Sequence, residues 1–155
     1  MRIIILGIGN ELMSDDGFGV HVVREMEKME LPEHVELIDG GTLGPTALYG
    51  TGNADLLIAI DTVNGGCEPG SIFKFTPEDI DEQPEIPFSL HDVSFLSSLQ
   101  IAEMTGDKPE NVVIIAIEPA NLDTGTTLSE PVSAKINEII ELTLKEIEAF
   151  TDENC

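Results

Sequence analysis

Tryptophan is absent from this chain, and cysteine nearly so, with only Cys67 and Cys155. Two such widely separated thiols make neither a metal-type spacing nor a disulfide framework, and they predict a reducing, cytoplasmic compartment. Cations are the next scarcity: seven Lys and Arg stand against thirty Asp and Glu, for a formal net charge of −23. That balance excludes nucleic acid and anionic membrane as partners. It favours cations or basic segments, although plain solubility or a salty cytoplasm accounts for most of the charge. No apolar run approaches the roughly 20 residues that a membrane helix needs. Residues 1–19 hold a strand-sized apolar run rather than a signal sequence. Low-complexity tracts and internal repeats are missing as well.

What remains is a chain of 155 residues, 41% hydrophobic, which suits a single globular domain. The reading is one α/β domain over residues 1–150, with a flexible tail at 151–155. The organising stretch is the first nineteen residues. Arg2 to Leu6 is a short isoleucine-rich run, long enough for a buried strand and too short for a free helix. Gly7 and Gly9 close it in a tight turn, Ser14, Asp15 and Asp16 follow, and a helix begins near Gly17. A dinucleotide fingerprint would need a third glycine or alanine at position 12, where Leu12 stands, and no lysine follows to make a P-loop.

Further along, Val35 to Ile38 reads as a second strand ending at Asp39-Gly40-Gly41-Thr42, and Pro45 to Tyr49 as a short helix. Asp55 to Ile60 is nearly all apolar, hence a strand buried on both faces, and it ends at Asp61-Thr62. Ser71 to Phe75 alternates in the manner of an edge strand, and 76–88 reads as a surface loop. Ser89 to Met104 is a helix with His91 in its first turn, and Val112 to Ile117 is the last buried strand. Leu128 to Phe150 is a long amphipathic helix. Strands alternating with helices predict a three-layer α/β/α sandwich around a twisted, mostly parallel sheet of about five strands.

Parallel strands deliver their C-terminal loops to one edge, where open α/β sheets bind ligands. Asp16, Asp39 and Asp61 each follow a predicted strand, and His91 opens a helix. Two carboxylates and a neutral imidazole suit a borderline divalent metal such as zinc or nickel, with positions left open for water or substrate. Each residue also has a plainer reading. Asp15 and Asp16 can cap a helix, Asp39 can hold its own turn, and His91 can be a capping or surface residue. Asp61 is the hardest to dismiss, because a carboxylate at the edge of a core is costly without a partner.

The motifs GIGNELMSDDGFGV at 7–20, DGGTLG at 39–44, AIDTVNGG at 59–66, SLHDVSF at 89–95 and AIEP at 116–119 resemble those of the [NiFe]-hydrogenase maturation endopeptidases. The resemblance runs in order over almost the whole chain. It implies a protease that removes a short C-terminal extension from the hydrogenase large-subunit precursor after nickel insertion. It also implies that Asp16, Asp61 and His91 are the metal-contacting and catalytic residues. Asp39, with Gly40, Gly41 and Thr42, matches a segment tied to substrate or nickel recognition. The resemblance further implies that nickel arrives bound to the substrate, and that another divalent metal such as zinc or cadmium could occupy the site in vitro. Some family members carry Glu where Asp16 stands, one methylene longer. Three other readings stay open: a metal-free aspartic dyad of Asp16 and Asp61, a non-catalytic acidic metal-binding or maturation-chaperone module, and a nucleotide-binding protein built on Gly7 and Gly9.

Overall fold

The computed structural model describes residues 1–82 and 94–155. In chain order these form β1 (Ile3–Ile8), a 3₁₀ turn at Ser14–Gly17, α1 (Phe18–Met26), β2 (Val35–Gly41), a second 3₁₀ turn at Gly44–Leu48 and β3 (Leu56–Thr62). Then come β4 (Ile72–Phe75), α2 (Asp79–Glu82), α3 (Ser94–Thr105), β5 (Asn111–Ile117), α4 (Glu130–Ser133) and α5 (Ile136–Asn154). One five-stranded sheet has the order β2-β1-β3-β5-β4. The first four are parallel, and β4 runs antiparallel to β5. The run at Ser71 to Phe75 thus becomes an edge strand, as its alternation predicts.

Period-two alternation divides the buried strands between two cores. Ile4, Leu6, Leu57, Ala59, Ile114 and Ala116 meet Phe95, Leu96 and Leu99 of α3 on one face. Ile3, Ile5, Ile58, Ile60 and Ile115 meet Phe18, Val22, Val23 and Met26 of α1, and Ile139 and Ile147 of α5, on the other. This is the three-layer sandwich. A short helix, α2, stands in the 76–88 stretch read as a loop, and the C-terminal helix differs from expectation in two ways. The single helix expected over 128–150 is split: a short turn, α4, with Pro131 at its start, ends at Ser133 before α5 begins at Ile136. Helix α5 then continues to Asn154, through most of the 151–155 segment. Residues 89–93 of the helix expected from Ser89 lie outside the described residues; α3 is described from Ser94.

The chain leaves β1 toward β2 and returns to place β3 on the other side, so the topological switch point lies between β1 and β3. Helix α1 packs there at glycine distance. A Cβ on Gly7 would stand 2.3 Å from the Gly19 carbonyl oxygen, and one on Gly19 would stand 2.1 Å from that of Ile60.

Asp15 fixes the loop between β1 and α1. It is fully buried and accepts hydrogen bonds from the N–H groups of Ala120 (2.9 Å), Asn121 (2.8 Å) and Ser129 (2.7 Å), and from the Ser129 hydroxyl (2.8 Å). Ser14 assists through its N–H to the Gly125 carbonyl at 2.9 Å and its hydroxyl to that of Asp123 at 2.8 Å. Burial pushes the Asp15 carboxyl up, but the bonds from Ser129, Asn121 and Ala120 outweigh it and hold the carboxyl below its usual range. The stability this contributes is present above the unfolded-state pKa of about 4 and is lost as pH falls through the depressed folded-state value. Asp15→Ala leaves three part-buried N–H groups without their acceptor and is expected to cost about 2–3 kcal/mol at pH 7. Urea unfolding at pH 7 and pH 3 checks this: the difference between wild type and variant should shrink at the lower pH.

All seven cations are paired with acids. Arg2 meets Glu36, Arg24 meets Glu11 and Asp39, Lys28 meets Glu25, and Lys74 meets Glu146. Lys108 meets Glu103, Lys135 meets Glu138, and Lys145 meets Glu141. No helix among the described residues is long and apolar enough to cross a membrane.

Candidate active site

At the carboxyl ends of β1, β2 and β3 the structure holds a cavity of about 270 Å³. Its walls include Gly9 and Asn10 after β1, Gly40, Gly41 and Thr42 at the end of β2, Asp16, Asp61, and Phe95 and Ser98 of α3. The glycines are needed for close approach: Gly9 has φ +133°, and a Cβ there would lie 1.7 Å from the Asp16 carbonyl oxygen. The first loop can therefore fold back against the 3₁₀ turn that carries Asp16.

Asp61 belongs to the odd positions of β3, with Leu57 and Ala59, and so points to the α3 side of the sheet. It is only 3% exposed. Its Oδ1 accepts the Thr62 N–H at 2.7 Å, while Oδ2 has no hydrogen-bond partner among the described residues. Burial, partly offset by the Thr62 N–H and reinforced by the charge of Asp16, pushes the carboxyl up to about 8. Asp16 is half-buried; its Oδ2 accepts the Asn10 N–H at 2.9 Å and its Oδ1 accepts the Thr62 hydroxyl at 3.2 Å. Thr62 thus donates to both acids and fixes their mutual orientation.

Two of the predicted site residues, Asp16 and Asp61, are brought to one cavity, together with Gly40, Gly41 and Thr42. Asp39 does not line it. It shares the α1 side of the sheet with Val35 and Leu37, is exposed, and reaches Arg24 at 3.6 Å. Arg24 also forms a bidentate pair with Glu11. His91 lies outside the described residues.

Sequence reasoning gave no role to Thr62, Asn10 or Glu118. Glu118 is 3% exposed and accepts the N–H groups of Gly65 and Gly66, each at 2.9 Å. It pins the loop that leaves β3 directly after the acid pair. Its signal was visible, an acid closing a buried strand as Asp61 does, but both strand ends read alike in sequence.

Among the described residues no three His, Cys, Asp or Glu side chains gather as a metal cage. Asp16 and Asp61 alone would hold a cation only with donors supplied from elsewhere. An unpartnered buried carboxyl oxygen beside a second acid fits such a shared ligand set, and it equally fits proton transfer.

The fold and site define an α/β protein with an acid-lined cavity at its switch point, suited to cation binding or proton transfer. Comparison with known proteins narrows the class. A sequence model described as hydrogenase maturation protease matches residues 20–146. The hydrogenase expression/formation protein HupM of Azotobacter chroococcum is 37% identical over 92% of this chain and 70% of its own length. The hydrogenase 2 maturation protease of Escherichia coli is 32% identical over 93% of this chain and 89% of its own. The solved structure of the hydrogenase maturating endopeptidase HybD from E. coli superimposes with a TM-score of 0.82 at 30% identity, covering 96% of this chain and 93% of that one. The chain belongs to the hydrogenase maturation protease family.

Proposed function

We propose that this protease removes the C-terminal extension of a [NiFe]-hydrogenase large-subunit precursor after nickel insertion, and that it recognises the nickel carried by the substrate. The observation that supports this reading is the Asp61 Oδ2, buried, unpartnered among the described residues, and sharing a cavity wall with Asp16. In this reading the precursor presents nickel held by its own cysteines, and Asp16, Asp61 and His91 approach that metal from the protease. A water is thereby set against the scissile peptide bond, and the nickel acts as a checkpoint for cleavage. Coordination by Asp61 releases its proton, so engagement of the precursor is coupled to pH.

Asp61's upward displacement, reinforced by Asp16, also favours a second reading in which the two carboxyls share a proton and cleave without metal assistance. That dyad leaves His91 idle. Mass spectrometry of nickel-loaded and nickel-free precursor, incubated with wild type and His91→Ala, separates the readings. The checkpoint reading expects loss of the C-terminal peptide only from loaded precursor with wild-type protein. Equal cleavage of both precursors would sink the checkpoint, and full activity of His91→Ala would remove the ligand role. Chelator-insensitive cleavage with an acidic optimum favours the dyad; stoichiometric binding without any mass change would instead mark a chaperone.

A further inference from the structure

Among the described residues, strand β2 lies at the edge of the sheet and pairs only with β1. The Ile3 N–H donates to the His34 carbonyl at 2.9 Å, which fixes the phase of the ladder with Ile3 opposite Val35. By the alternation of a parallel ladder, Glu36 and Ile38 then turn their peptide groups inward to β1. Leu37 and Asp39 turn theirs outward, and among the described residues neither has a hydrogen-bond partner on that side. The opposite edge is built differently: β4 has only four residues and carries Lys74. Strand β2 has seven residues, VELIDGG, with neither lysine nor proline to blunt it. Its last two residues, Gly40 and Gly41, are walls of the active-site cavity.

We infer that the outer edge of β2 is the docking strip for the substrate's C-terminal extension, which adds as a sixth, antiparallel strand. This rests on the protease reading above. The direction follows from chain geometry. With the scissile bond at the cavity, at the carboxyl end of β2, the residues beyond that bond lead away along β2 toward its amino end. An extended peptide in that direction pairs its main chain with Leu37 and Asp39, both outward-facing, and its affinity comes from main-chain bonds rather than side-chain identity. Asp39 then serves the substrate through its peptide group. Its carboxylate is held on the other side by Arg24, which also grips Glu11 beside Asn10, the donor to Asp16. One ion-pair cluster thus links the docking strip to the loop that orients a catalytic acid.

Residue-resolved amide exchange of the Asp61→Asn protein tests this, alone, with nickel-loaded full-length precursor, and with the same precursor lacking its extension. The expected result is slowing of the Leu37 and Asp39 amides by about tenfold or more with full-length precursor only, and little change at Glu36 and Ile38, which are already paired. A complex that forms on gel filtration yet leaves Leu37 and Asp39 exchanging freely would overturn the docking strip while leaving the protease reading intact. Equal slowing by the shortened precursor would also overturn it, since the extension would not be the occupant. Failure of both the wild-type and the Asp61→Asn protein to form any complex with full-length precursor would strike the protease reading and this inference together.

Discussion

Replacing Asp61 by asparagine is expected to abolish processing and, at the same time, to stabilise the free protein at neutral and higher pH. Asparagine keeps the size of the side chain and an oxygen to accept the Thr62 N–H, but it can neither bind a cation as a carboxylate nor move a proton. The loss of cleavage should be at least about 10²–10⁴-fold, the range for a removed acid–base group. The stability change follows from the buried carboxyl. Its pKa rises from 3.8 in the unfolded chain to about 8 in the folded one, so the folded protein binds the proton more tightly. The site costs nothing below the unfolded value, and its cost grows by about 1.4 kcal/mol per pH unit as pH climbs toward the folded value. Removing the charge should therefore leave melting near pH 4 unchanged and raise it near pH 8, the gain reaching a few kcal/mol. Thermal melts of both proteins at the two pH values check this. A rise of equal size at both would mean that the charge is not the cause.

The second large effect is expected at Gly19, which touches no substrate. A methyl group there meets the carbonyl oxygens of Ile60 at 2.1 Å and Ile8 at 2.6 Å, both main-chain atoms of the central strands. Neither can swing aside as a side chain can, so α1 must lift from the sheet. Overpacking of this kind costs about 3 kcal/mol or more. Helix α1 follows directly on the 3₁₀ turn that carries Asp16, and Ile60 precedes Asp61. A shift of about 1 Å there can lower the rate by about 10²-fold, so Gly19→Ala should lose activity beyond its loss of folded protein. Cleavage assays at a temperature where circular dichroism shows the variant folded separate the two. Wild-type turnover per folded molecule would confine Gly19 to a packing role.

Much of this architecture was legible in the residues, because β1, β3 and β5 are apolar runs too short for helices and too continuous to be surface strands. The convergence of Asp16 and Asp61 was legible for the same reason, since Asp61 ends β3, Asp16 lies in the loop after β1, and a parallel sheet brings both to one edge. Asp39 was only half legible. The alternation of Val35, Leu37 and Asp39 against Ile38 and Gly40 already puts its side chain opposite the cavity, but glycine turns drew attention to its neighbours. Asp15 could not be read at all beyond a capping role. Its partners lie more than a hundred residues away, and main-chain N–H groups leave no mark in a sequence. Thr62 was hidden likewise, because its value lies in donating from two different atoms to two acids.

The pairing of every lysine and arginine within the fold has a consequence for how this protein meets others. Each already sits beside an acid, and the net charge of −23 gives the molecule a negative field at long range. Such a field repels a second copy of itself and draws in a positively charged surface faster than unaided diffusion would. Dissolved electrolyte would weaken both effects together, relieving the strain of crowded like charges in the folded chain while slowing the first encounter with a basic partner.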